Sequence, residues 1–233
     1  MKLSIIIPCY NEATVIKENA LKVIKYMEEI NNPYELIIVN DGSKDDTGKI
    51  IETIPGIIPV NYNVNKGKGG AVKEGIKAAK GDYVLIMDAD LSTDLGAIKI
   101  LIPLLKEDRV VIASRKLKES VLPIKRKLKR RFISWVCTKL VNFKFHLHVS
   151  DSQCGFKAFE THFAKKMVEK QIIEKFAFDV EYLYIAKLNH VEICEIPVTW
   201  TDDYRSSVNP VSHSKDFMQA LSKIKKNKSN YII

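Results

Sequence analysis

Cysteine is scarce and scattered in this sequence. Cys9, Cys137, Cys154 and Cys194 stand alone, with no CxxC pair. That argues against a disulfide framework or a zinc ribbon and reads as free thiols in a reducing compartment. Histidine supplies no rival metal centre. His146 and His148 lie two apart in FKFHLHVS with no third clustered ligand beyond Asp151, so one surface and one packed imidazole are expected. No apolar run is long enough to span a bilayer: FISWVCTKLVNF (132–143) is short and is interrupted by Lys139. Lys2 is followed at once by a strand-like run and then by Asn11-Glu12, so no signal peptide is expected. Internal repeats and low-complexity linkers are missing, and no Ser-His-Asp or Cys-His arrangement emerges from the spacing.

What is present fits one domain. The 233 residues are 46% apolar and 28% charged, enough for a full core. The net charge of +9 is uneven. Nine basic residues between Arg115 and Arg131 face Glu119 alone, giving that window +8, and Lys223 to Lys228 adds four lysines. Such a field suits nucleic acid, an anionic membrane surface or a phosphorylated substrate, and charge alone does not choose.

The first half alternates strands and helices. Apolar runs at 2–10, 34–41, 57–62, 81–90 and 109–115 read as interior parallel strands. Between them lie helical stretches at about 13–30, within GSKDDTGKIIETI (42–54) with Ser43 as cap, at 67–80 and around 94–106. This rhythm predicts an α/β fold, a mostly parallel twisted central sheet flanked by helices, with ligands beyond the carboxyl ends of the strands. Asn11, Asp41, Asp88 and Asp90 all fall at such ends. The second half is less regular: a basic amphipathic stretch (118–144), DSQCGFKAF (151–159), helices at 161–170 and 178–188, and a strand over 190–200 ending at Pro197. The terminal KIKKNKSNYII reads as frayed. The expected organisation is one domain over 1–222, with a donor half (1–115), an acceptor half (116–210) and a basic tail (223–233).

YVLIMDAD (83–90) carries the sharpest chemical signal. Like charges at the spacing of Asp88 and Asp90 destabilise each other unless a cation offsets them. A turn or a helix cap at Ser92 or Thr93 is the plain alternative. Mg²⁺ or Mn²⁺ bridging the phosphates of a nucleoside diphosphate is the functional one. NKGKGGAVKEG (65–75), with Lys68 inside it, matches neither G-x-G-x-x-G nor a Walker loop; it reads as a phosphate-proximal loop or a tight strand-to-helix turn. Arg126 and Arg130, four apart, share a helix face suited to phosphate, beside Phe132, Trp135 and Phe143, which suit a bilayer interface. A membrane surface, nucleic acid and a solvated face all remain open for this window. No nucleic-acid-reading motif accompanies it.

PCYNE, NDGSKDDT, NKGKGGAVKEG, MDADLSTD, ASR, DSQCGFKAF, FAFDVEYLYIA and IPVTW occur in an order that resembles inverting nucleotide-sugar glycosyltransferases of family 2, with the GT-A (nucleotide-diphospho-sugar transferase) fold. DSQCGFK followed by FDVE is most similar to the dolichyl-phosphate β-glucosyltransferases, then to dolichol-phosphate mannose synthases. The resemblance covers about residues 2–210. It implies that Pro8, Tyr10, Glu12 and Asp41 contact the base and ribose of a UDP-sugar (or GDP-sugar), and that Asp88 and Asp90 hold Mg²⁺ or Mn²⁺ and the diphosphate. It implies that Arg115, Arg126 and Arg130 meet the phosphate of a polyprenyl or dolichyl acceptor, with Asp151, Gln153 and the Asp179/Glu181 region lining the sugar and acceptor side. Ser152 and Ala113 stand where relatives have Thr and Gly, and Ser206-Ser207-Val208 replaces Ser-Lys-Val, with Arg205 as a substitute phosphate contact. A lipid phosphate is already anionic, so direct in-line attack needs no base; a hydroxyl acceptor would need Asp151 or Asp179. The expected setting is cytoplasmic, peripheral at an anionic membrane surface, with no nucleic acid partner.

Overall fold

The computed structural model describes residues 1–123, 128–201 and 212–233, with side chains described over 1–123, 132–201 and 215–233. Seven strands form one sheet in the order β3-β2-β1-β4-β6-β5-β7. They are β1 (Leu3–Cys9), β2 (Tyr34–Asp41), β3 (Ile57–Tyr62), β4 (Tyr83–Ile86), β5 (Arg109–Ser114), β6 (Lys157–Glu160) and β7 (Glu192–Pro197). All pairings are parallel except those of β6, which runs antiparallel to both β4 and β5.

β1 is buried along its whole length, as expected of an interior strand covered on both faces. One face packs against α1 (Ile16–Glu29), α2 (Thr47–Glu52) and α4 (Ala97–Leu101). In α1 the buried Ile16, Ala20, Val23 and Met27 recur at helical spacing. The other face carries α3 (Lys68–Ala78), α6 (Thr161–Lys170), α7 (Phe178–Leu188), the end of α5 (Leu128–Phe145) and α8 (Ser212–Lys226). α5 docks through Val141 and Phe145, with Phe145 edge-on to Tyr184 at 4.8 Å between ring centroids. Upstream on the same helix, Phe132, Trp135 and Val136 are exposed, and Phe143 is 81% exposed.

Several local expectations change. β6 departs from the parallel rhythm, an antiparallel strand read from the sequence only as part of a motif. α2 begins at Thr47, later than expected, because Ser43 is used elsewhere: its Oγ accepts the Asn11 N–H at 2.9 Å. The helix after β4 is short and passes into a 3₁₀ turn over Ile102–Leu104, with Pro103 at the junction. His146 and His148 are both exposed, each with positive φ, so neither is packed. The tail is not frayed: a 3₁₀ turn (Lys228–Tyr231) follows α8 and buries Tyr231 completely. Its hydroxyl donates to Glu181 at 2.5 Å, tying the chain end to α7.

Candidate active site

Asp88 emerges two residues beyond β4, just after Met87 N–H makes its bond to the Ile6 carbonyl (3.0 Å). Asp90 follows across a turn in which its Oδ1 accepts the Ser92 N–H at 2.9 Å, so the turn reading accounts for part of this residue. The nearly buried Asn19 of α1 donates Nδ2 to the Ala89 carbonyl (2.8 Å), which fixes the residue between the two aspartates. Ahead of α4, the side chain that accepts a backbone N–H is Asp94, from Gly96 at 2.8 Å; Ser92 and Thr93 are not the caps.

Three basic side chains converge from three other elements. Lys68, the first residue of α3, ion-pairs with Asp88 Oδ1; Gly67 before it turns the chain at φ 84°. Lys157 at the start of β6 is 1% exposed and donates to Asp179 Oδ1 at 2.6 Å and to the Cys154 carbonyl. Arg115, just past β5, grips Asp151 with two bonds, Nε to Oδ2 at 2.6 Å and Nη2 to Oδ1 at 2.9 Å. Its guanidinium lies 5.3 Å from the Trp200 ring centroid. Glu195 of β7 fixes this corner from behind, accepting from Ser150 N (2.8 Å), Ser150 Oγ (2.6 Å) and Asp151 N (3.1 Å).

The electrostatics follow from burial and pairing. Burial pushes the Asp88 carboxyl up, but Lys68, Lys157 and Arg115 more than offset it and hold it below the usual range. Asp90 goes the other way, raised by burial and by the Asp88 charge. Burial also raises Asp179, which Lys157 and Lys68 only partly counter. Asp151 is buried too, yet Arg115 brings its carboxyl down to about 2.

The loops after β1, β2 and β3 form a second group beside this cluster. Pro8 is buried in β1 and Tyr10 is 41% exposed at its exit. Asn11, at φ 56°, accepts the Lys44 N–H on its Oδ1 (2.8 Å), and the Glu12 N–H donates to Thr47 Oγ1 (2.9 Å). Asp41 Oδ1 accepts from Tyr62 Oη and from Lys66 N, both at 2.8 Å.

The sequence-derived residues Lys68, Asp88, Asp90, Arg115, Asp151 and Asp179 thus fall into one charged cluster, with Gln153 beside it through its N–H to Asp151 Oδ1 (3.3 Å). Tyr10 and Glu12 lie in the loop after β1 and Asp41 ends β2 beside it, whereas Pro8 is buried inside β1. Arg130 lies on α5, its side chain outside the described residues; Arg126, Arg205 and Ser206-Ser207-Val208 fall outside them altogether. Glu181 is not at the cluster. It is fully buried, accepting from Ile172 N, Ile173 N and Tyr231 Oη.

Two members of the DSQCGFK motif went unassigned in the sequence. Lys157 is the buried partner of Asp179, and a lysine inside an apolar run was its only signal. Gly155 lies so close to Asp88 that a β-carbon there would overlap the carboxylate.

Among the described residues, no three His, Cys, Asp or Glu converge into a metal-binding group. A divalent cation at this edge would therefore take protein oxygens from Asp88 and Asp90 and complete its shell with ligand oxygens and water, which suits Mg²⁺ or Mn²⁺. The donor set fits: both are carboxylates, and Asp90 has no lysine or arginine ion pair among the described residues.

Residues 4–168 match the family model "Glycosyl transferase family 2". A dolichyl-phosphate β-glucosyltransferase of Dictyostelium discoideum is 35% identical over 240 residues, 96% of this chain and 73% of that one. Another from Trichomonas vaginalis is 31% identical over 212 residues, 84% of this chain. The match spans only 63% of that relative's length. Among solved structures, glucosyl-3-phosphoglycerate synthase from Mycobacterium tuberculosis in complex with UDP superposes with a TM-score of 0.71 at 18% identity, covering 97% of this chain and 80% of that one. The same enzyme with Mn²⁺, UDP-glucose and phosphoglyceric acid gives a TM-score of 0.68 at 17% identity, covering 97% and 80%. With its parallel sheet, its one inverted strand and its aspartates at the β4 edge, the chain belongs to glycosyl transferase family 2 and has the GT-A fold.

Proposed function

We propose that this enzyme is an inverting, metal-dependent transferase that moves glucose from UDP-glucose onto dolichyl or another polyprenyl phosphate. The observation that carries the reading is the gathering of Lys68, Lys157 and Arg115 around Asp88 and Asp90 at the edge where a sugar diphosphate would lie. The names of the relatives support the glucosyl and dolichyl-phosphate assignments. The complexes with UDP and with Mn²⁺ and UDP-glucose support the donor and the metal.

Asp88 and Asp90 would hold the cation, which supplies charge neutralisation at the departing diphosphate. The loops bearing Tyr10, Glu12 and Asp41 bind and orient the nucleoside. Asp151 is a poor proton acceptor, because Arg115 occupies both its oxygens and holds its carboxyl down at about 2. That favours an acceptor that arrives already ionised, as a lipid phosphate does. Arg115, Arg126 and Arg130 are the basic residues assigned to that phosphate. A hydroxyl acceptor, the second reading, would rely on Asp179, whose carboxyl burial raises.

No helix among the described residues is long and apolar enough to cross a membrane. The exposed Phe132, Trp135 and Phe143 of α5, with Lys139 6.0 Å from the Trp135 ring, form a surface suited to the interface of an anionic bilayer. Peripheral attachment at the cytoplasmic face is the corresponding localisation.

The test is product analysis after incubation with Mn²⁺ or Mg²⁺, a panel of UDP- and GDP-sugars, and either polyprenyl phosphate or soluble sugar acceptors. Glucosyl lipid and UDP, lost on chelation and in Arg126→Ala/Arg130→Ala while UDP binding persists, are the expected results. Transfer to hydroxyls only, or from GDP-mannose only, would overturn the assignment.

A further inference from the structure

The geometry points to Lys68 as a resident counter-cation for Asp88, one that must leave the carboxylate when a divalent metal arrives and is received by the donor's diphosphate. This rests on the metal and donor assignments above and adds a coupling between them.

Lys68 is placed for both positions. It opens α3, directly after the turn at Gly67, and its ammonium ion-pairs with Asp88. The neighbouring Lys66 is committed elsewhere, to Glu74 at 3.0 Å and over the Tyr62 ring at 4.6 Å. On the Gly155 side the backbone lies against the Asp88 carboxylate, so Asp88 cannot swing that way to take a metal while Lys68 stays in place.

The charge balance gives the coupling its sign. Asp88, Asp90, Asp151 and Asp179 face Lys68, Lys157 and Arg115, a formal balance of one negative charge. Arg115 and Lys157 are bound to Asp151 and Asp179, which leaves Lys68 as the cation of the three that sits on Asp88. A divalent cation arriving alone would turn the cluster positive and strand the Lys68 ammonium beside it. A diphosphate arriving alone would add its charges to an already negative site. Together the two return the site close to its starting balance and give Lys68 a phosphate partner. Metal and nucleotide therefore each strengthen the other's binding, and Lys68 sets how strongly.

The experiment measures Mn²⁺ binding directly, from the electron paramagnetic resonance signal of free Mn²⁺, with and without UDP, in the full chain. In the wild type, UDP should tighten Mn²⁺ by about tenfold or more. In Lys68→Met, Mn²⁺ alone should bind about tenfold tighter than in the wild type, with the gain from UDP reduced to roughly threefold or less. Lys68→Arg should keep the coupling, and Asp88→Asn should lose Mn²⁺ under every condition. A thermal melt on each variant confirms folding. If Lys68→Met binds Mn²⁺ alone no better than the wild type and keeps the full UDP gain, Lys68 is not the counter-cation, while the metal site stands. If the wild type fails to bind Mn²⁺ even with UDP, the metal assignment and this coupling fall together.

Discussion

Gly155→Ala isolates the position of Asp88 from every other property of the site. Ile86 pairs with Lys157 in the antiparallel β4–β6 ladder, and continuing that register by two residues sets Asp88 opposite Gly155. Gly155 is not among the glycines with positive φ, so alanine suits its backbone. The obstacle is purely the neighbour: a methyl there would lie 2.5 Å from Asp88 Cγ and nearer still to one oxygen. Carbon contacts settle near 3.5 Å or beyond, so the carboxylate must retreat by about 1 Å. It has room to do so, because its side chain is 30% exposed. Stability should therefore change by no more than ~1 kcal/mol, helped by the lower entropy of an unfolded alanine. Catalysis should suffer far more, since a misplacement of about 1 Å costs on the order of 100-fold, or ~2.7 kcal/mol of barrier. The assay is kcat/KM with saturating acceptor, alongside a thermal melt and Mn²⁺-dependent UDP binding. Activity within about threefold of the wild type at unchanged Tm would refute the claim that Gly155 is needed to seat Asp88. A collapse of Tm would show instead that the glycine serves folding.

Other perturbations separate structural from chemical roles. Lys157→Met strips the cation from buried Asp179 and should cost ~3–5 kcal/mol in denaturant unfolding; adding Asp179→Leu should recover most of that stability while activity stays lost. Tyr231→Phe leaves Glu181 short of a donor, which should lower stability by ~1–3 kcal/mol, with kcat nearly unchanged because the bond lies away from the charged cluster. The Asp151–Arg115 pair gives an acid-side dependence: the carboxyl is depressed to about 2 in the fold, so its contribution, on the order of 2 kcal/mol, is complete above the unfolded value near 4 and is lost as pH falls toward 2. Arg115→Met should remove that dependence from unfolding curves measured across the same window.

Most of the parallel scaffold was legible because each strand is a compact apolar run bounded by turn residues. The 34–41 and 57–62 expectations coincide with β2 and β3, and 161–170 and 178–188 with α6 and α7. β6 was not legible: four residues are too few for a period, and the buried Lys157 disguises the strand as surface. The tail misled through its lysines. Ile224 and Tyr231 carry its packing, but a tally of charge hides two buried side chains among exposed ones. In the site, residue identities could be read and pairings could not. Nothing in the spacing of Lys68, Lys157 and Arg115 says which carboxylate each will hold, because the separations run from 20 residues for Lys68–Asp88 to 36 for Arg115–Asp151.

The inverted strand explains why the second half of the chain reaches the edge bearing Asp88 and Asp90 at all. Parallel strands deliver the residues that follow them to the carboxyl edge and those that precede them to the opposite one. Had β6 run parallel, Asp151, Gly155 and the start of the strand would lie at the amino edge, a strand's length from Asp88. Running antiparallel between β4 and β5, it brings its leading segment to the edge where both neighbours end. The motif DSQCGFK can then place Asp151 against Arg115, Gly155 against Asp88 and Lys157 against Asp179 within one short stretch. Carboxylates from the first half and charged groups from the second meet through this single reversal of direction. The residues most responsible for that meeting, Gly155 and Lys157, are accordingly those whose roles depend on topology rather than on their own chemistry.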